Sequence, residues 1–184
     1  MSGSIGIRLT RAKKSYDLGA SKFFGAPTVP RAWDGEFFED EIFLCQIRLS
    51  DIAELDRENR LPHTGYLSVF LSTGTDELVP IVRYFDGEPE LALSDFNKQV
   101  EGYESFNDAY LAEFFSAEED YDGTRLFGIP SGWCYDEEPP SLLLQYDPLD
   151  NETGFLDYMD GYLYLFFGED TNDLSKISLM EDFS

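Results

Sequence analysis

Two stretches of the chain alternate at period two between a mainly aromatic set and a mainly aliphatic one. In residues 65–72, Tyr66, Ser68 and Phe70 alternate with Leu67, Val69 and Leu71; in residues 161–167, Tyr162, Tyr164 and Phe166 alternate with Leu163, Leu165 and Phe167. Successive side chains of an extended chain point to opposite faces, so both stretches read as strands. Two shorter runs, Phe43-Leu44-Cys45-Gln46-Ile47 and Leu142-Leu143-Leu144-Gln145-Tyr146, are apolar almost throughout and read as strands buried on both faces. Residues 77–85 and 177–183 read as further strands. Elsewhere the spacing is helical. Ser50 stands as an N-cap before Ile52 and Leu55, and Pro62 ends the run, which predicts a short helix over 50–59. Phe106, Ala109, Tyr110, Leu111, Phe114 and Phe115 fall on one face of a second helix predicted over 105–115.

These patterns come in pairs. Phe23-Phe24-Gly25-Ala26-Pro27, the Gln46 run and Gly65-Tyr66-Leu67-Ser68-Val69-Phe70 follow one another in the first half. Leu126-Phe127-Gly128-Ile129-Pro130, the Gln145 run and Gly161-Tyr162-Leu163-Tyr164-Leu165-Phe166 follow in the same order in the second. Three blocks kept in order indicate an internal duplication. In each first block two apolar residues run into Gly-x-Pro, a strand end entering a turn. The expected fold class is α+β. Two related strand-rich halves, about 21–100 and 101–184, would pack through their apolar faces about a pseudo-two-fold axis, preceded by a basic N-terminal segment, 1–20. Each half alone would have a small core, so one domain is expected.

Charge changes the picture of what such a domain meets. The chain has 13 Lys and Arg against 37 Asp and Glu, a net charge of −24. Arg8, Arg11, Lys13, Lys14, Lys22 and Arg31 oppose Asp17 alone in residues 1–33, so residues 34–184 hold all the negative excess. Such a field repels nucleic-acid phosphates and anionic lipid and draws in basic partners. Sixteen Phe and eleven Tyr supply ample apolar area for a folded core despite the charge. No apolar run approaches the roughly 20 residues that span a bilayer, and the N-terminus lacks a signal-peptide apolar region, so a cytoplasmic location is expected.

Candidate chemistry is sparse. Cys45 and Cys134 have no metal-ligand spacing, and Cys45 reads as a buried free thiol. His63, the single histidine, sits in a turn before a strand. Glu118-Glu119-Asp120-Tyr121-Asp122-Gly123 has oxygens at alternate positions like a calcium loop, but Ile129 stands where the bidentate acid is needed. No catalytic residue, metal site or cofactor is expected. Gln46 and Gln145 stand at matching places in two apolar strands. A buried amide there must either tie its strand to a neighbouring loop or meet a polar ligand in a cleft.

Ser21-Lys22-Phe23-Phe24-Gly25-Ala26-Pro27-Thr28-Val29-Pro30 resembles the S-x-F-G-G-x-P-x-x-P opening of the YwqG-like proteins. The Gln46 and Gln145 runs, Leu61-Pro62-His63-Thr64-Gly65-Tyr66-Leu67 and the segment from Asp160 to Phe166 are similar to later blocks of that family. Phe24 stands where the family has Gly, and Met159-Asp160-Gly161 replaces Gly-Asp-x-Gly. The resemblance implies a bacterial α+β protein with a duplication and no established catalytic residues; some members look like immunity proteins encoded beside secreted toxins.

Together these point to a non-enzymatic acidic binding protein, most concretely an immunity protein that neutralises a cognate toxin such as a nuclease with a basic cleft. The partner-binding candidates are Asp34, Glu36, Glu39, Asp40 and Glu41; Glu118, Glu119, Asp120 and Asp122; and Asp136, Glu137 and Glu138. Two alternatives are an enzyme with a carboxylate or divalent-metal site and a regulatory scaffold that binds a basic protein.

Overall fold

The computed structural model describes residues 3–134, 138–149 and 161–181, side chains of residues 104 and 105 excepted. In the first half the strands are β1 (Ser4–Arg11), β2 (Lys22–Phe23), β3 (Thr28–Val29), β4 (Glu41–Arg48), β5 (Tyr66–Ser72), β6 (Val79–Phe85) and β7 (Leu91–Ala92). The second half has β8 (Tyr110–Ala117), β9 (Arg125–Leu126), β10 (Leu142–Tyr146), β11 (Leu163–Phe166) and β12 (Ser178–Glu181). Ten strands form one sheet in the order β12-β11-β10-β9-β1-β8-β2-β4-β5-β6, while β3 and β7 pair separately. The large sheet curls until β12 comes beside β6, giving a nearly closed barrel.

The fold is therefore nearly all β, not the α+β class expected from the sequence: no helix of seven or more residues occurs among the described residues. Neither expected helix forms. Residues 49–51 make a single 3-10 turn, after which the chain turns repeatedly toward Leu61. The run assigned to the second helix splits into a 3-10 turn at Glu104–Asn107 and strand β8. Its aromatic and aliphatic residues suit a strand as well as a helix, and pairing with both β1 and β2 decides between them.

The block correspondence reappears in the pairing register. Lys22 lies opposite Gln46, and Arg125 opposite Gln145. The β4–β5 ladder slips between Phe43 and Cys45; the β10–β11 ladder slips between Leu142 and Leu144, the matching residues. After β2, Phe24 and Gly25 adopt φ of 56° and 76°; after β9, Phe127 and Gly128 adopt 64° and 88°. Phe24 N donates to the Leu44 carbonyl at 2.8 Å, and Phe127 N to the Leu143 carbonyl at 3.2 Å.

The first strands of the two halves are exchanged. β1 pairs with β9 of the second half, β8 pairs with β2 of the first, and β1 and β8 pair with each other at the centre. The symmetry holds at the bond level: Ile7 N donates to the Thr124 carbonyl at 2.8 Å and Ala112 N to the Ser21 carbonyl at 3.0 Å. Within the basic N-terminal segment, Ser4–Arg11 is thus an interior strand carrying buried Ile5, Ile7 and Leu9. One core joins both halves inside the barrel, with Phe23 stacked on Tyr146 at 5.7 Å between ring centroids. The outer sheet face carries two smaller clusters. Phe43, Phe70 and Phe96 lie in the first half, and Leu142, Tyr164 and Phe166 in the second.

Candidate functional site

The twelve candidate acids fall into different environments. Asp34, Glu36 and Glu39 are exposed around the turn before β4, but the next two are structural. The Asp40 carboxylate accepts the Ser72 hydroxyl at 2.5 Å, a bond that holds its pKa below the usual range. Glu41 is fully buried, accepts Phe38 N at 3.2 Å and lies 3.7 Å from Arg83; burial pushes its carboxyl up. A buried carboxylate opening a strand cannot meet a partner, so Glu41 leaves the candidate surface. Asp136 and Glu137 lie outside the described residues, and Glu138 is exposed.

Glu118, Glu119 and Asp120 are exposed and line one groove of about 480 Å³. The groove also takes in Asp56, Arg57, Glu58 and Arg60 from the connection before β5, with apolar surface from Leu55, Phe127 and Ile129. The fold fixes both sides. Ile129 N donates to the Glu119 carbonyl at 2.9 Å, and the Ser4 hydroxyl to that of Glu118 at 2.5 Å, tying the acidic turn to the strand exchange. Opposite, buried Asp56 accepts Arg60 N at 3.1 Å and Leu61 N at 3.0 Å and sits 3.4 Å from His63 Nε2. Arg60 is spoken for: it donates to Glu58 at 2.5 and 2.8 Å and lies 4.7 Å over the Phe127 ring. Asp122 does not line the groove but accepts the Tyr162 hydroxyl at 2.5 Å, which lowers its pKa.

A second feature is internal and duplicated. Lys22 and Arg125, both 0% exposed, occupy matching positions beside the buried amides of Gln46 and Gln145. In the first half, Thr28 Oγ1 lies 3.1 Å from Lys22 Nζ and 2.7 Å from Gln46 Oε1. In the second half the equivalent Ser131 meets Gln145 twice: its N donates to Oε1 at 2.9 Å, and its hydroxyl accepts Nε2 at 2.9 Å. Gln46 therefore ties β4 to Thr28 at the start of β3 and to the Leu18 and Ala20 carbonyls before β2, and Gln145 ties β10 to Ser131 after β9, the first of the two roles open from sequence. Burial lowers the Lys22 pKa to about 8. In the sequence Lys22 counts only toward the basic N-terminal charge and Arg125 stands out in no way, although a basic residue directly precedes Phe23 and Leu126 in the repeated block.

Cys45 is buried and Cys134 exposed, both as free thiols; burial pushes the Cys45 thiol upward. Among the described residues no three His, Cys, Asp or Glu side chains gather as a metal site, and no helix is long and apolar enough to cross a membrane. No protein-family model matches the chain, and no curated protein matches it either.

Proposed function

We propose that this chain is a non-enzymatic binding protein that captures a basic surface of another protein, most concretely as an immunity protein against a cognate toxin. The observation that carries the reading is the placement of Glu118, Glu119 and Asp120 together in the lining of one groove, exposed and fixed by hydrogen bonds from the Ser4 hydroxyl and from Ile129 N. A preformed acidic wall presents its charge without paying to order a loop, and it complements the phosphate-binding surface of a nuclease. The resemblance to YwqG-like proteins supports the immunity role in particular, through those members that look like immunity proteins.

The test is expression of each gene flanking this one, alone and together with this chain. The reading expects one flanking product to arrest growth, the wild-type chain to restore it, and the Glu118→Lys/Glu119→Lys/Asp120→Lys variant to restore it poorly while remaining folded. Restoration by the variant equal to wild type would remove the acidic wall from the interface. Absence of any toxic neighbour would remove the immunity role.

A further inference from the structure

We infer that the second half holds a buried oxyanion site at Arg125, beneath the turn formed by residues 128–131, that takes a single carboxylate group. The duplication supplies the internal control. In the first half, Lys22 Nζ has the Thr28 hydroxyl at 3.1 Å and the ring faces of Tyr16 and Phe43 at 5.4 and 6.0 Å, surroundings that suit one compact ammonium. In the second half a guanidinium with five N–H donors stands in the same register. Its Nη2 donates to the Ile129 carbonyl and, at 3.2 Å, to Gln145 Oε1. Its Nε and Nη1 are enclosed without an acceptor among the described residues.

The neighbouring polar groups are already engaged. Gln145 Oε1 also takes Ser131 N at 2.9 Å, Tyr164 donates to the Ser131 carbonyl at 2.7 Å, and the Asp122 carboxylate takes the Tyr162 hydroxyl at 2.5 Å. A buried guanidinium with idle N–H groups is a costly arrangement unless something supplies both negative charge and lone pairs. An oxyanion supplies both. Asp120 and Asp122 lie close enough to Arg125 to act on its charge, and the whole chain carries −24, so a dianion is penalised more than a monoanion. That favours a carboxylate over phosphate. Entry requires the 128–131 turn to lift, breaking the 2.9 Å bonds from Ile129 N to Glu119 and from Ser131 N to Gln145.

The experiment titrates the intact chain with formate, against chloride at equal ionic strength, with inorganic phosphate as a second arm. The readouts are melting temperature and the Nε–H nuclear magnetic resonance of Arg125, assigned by its loss in Arg125→Lys. Formate is expected to raise the melting temperature saturably and to move that resonance, with phosphate weaker. Arg125→Lys installs the residue that the first half carries at the same place, and Arg125→Met removes the charge; circular dichroism checks that both remain folded. Both should weaken the response about tenfold or more, the ratio expected when a charge-assisted hydrogen bond is removed. A resonance and melting temperature that ignore formate, an equal response in Arg125→Met, or phosphate binding as tightly as formate would each overturn the assignment.

Discussion

At the scale of single residues, the buried cations are the most informative positions. Lys22 is enclosed, and its pKa falls from 10.5 to about 8, with burial the cause. Because the folded value lies below the unfolded one, the folded state binds the proton less well. The associated stability is full above pH 10.5 and is lost as the pH falls through about 8. At neutral pH the charged amine is therefore a liability; the gap between the two values corresponds to about 3 kcal/mol. Lys22→Met should be more stable than wild type at pH 7 by an amount of this order, reduced by the lost contact to Thr28. Urea unfolding at about pH 7 and about pH 9.5 checks the sign, because the advantage of the variant must shrink at the higher pH. The sequence offered a signal here that its hydrophobic pattern hid. Lys22 and Arg125 occupy the same step of the repeated block, but extending the repeat by one residue was needed to pair them.

At the scale of elements, the turn after β2 and its copy after β9 are the points where strand, core and groove meet. Gly128 has φ of +88°, and a Cβ there would stand 2.3 Å from the Glu119 carbonyl oxygen. That carbonyl is held by Ile129 N, so it cannot retreat without releasing the acidic turn. Gly128→Ala is expected to cost about 2 kcal/mol or more, from backbone strain and displacement together, and to disturb the groove. Denaturant unfolding measures the first effect, and loss of growth restoration the second. β1 gives a sharper test. Deleting residues 1–11 removes Ile5, Ile7 and Leu9 from the core and opens the edges of β8 and β9. The truncated chain should lose cooperative unfolding and aggregate, as seen by circular dichroism and gel filtration. A well-folded 12–184 fragment would contradict the central place of β1. Strands β4, β5, β10 and β11 were legible because period-two alternation and apolar runs are local properties. β8 was not, since Phe106–Phe115 satisfies a helical face locally and only its partners β1 and β2 make it a strand. The strand exchange was equally out of reach, because no local pattern says which half a strand will join.

At the scale of the whole molecule, a net charge of −24 surrounds a barrel whose acidic groups differ sharply in availability. Density of acids along the sequence ranked Asp40 and Glu41 beside Glu118 and Glu119, yet the first pair serves the fold and the second faces a groove. Burial and hydrogen bonding, which the linear order of charges does not record, make that distinction. The long-range field, by contrast, depends on every charge, buried or not, and under the proposed function it would govern encounter with the basic partner. Association with the toxic partner identified by the flanking-gene experiment should therefore slow as salt shortens the Debye length from about 10 Å at 0.1 M to about 3 Å at 1 M, within the roughly 10- to 1,000-fold range that steering provides. Dissociation should change less, because close packing at the interface governs it. Reversing Glu118, Glu119 and Asp120 to Lys should lower both the association rate and its salt slope. Reversing Asp34, Glu36 and Glu39, which share no residue with the groove, should lower the rate only through the general field, and by less. Stopped-flow mixing at several salt concentrations separates the two surfaces. Equal slowing by the two triple variants would mean that total charge steers the encounter and the groove confers no direction. A rate indifferent to salt in the wild-type chain would leave the acidity with solubility as its role and remove steering from the mechanism.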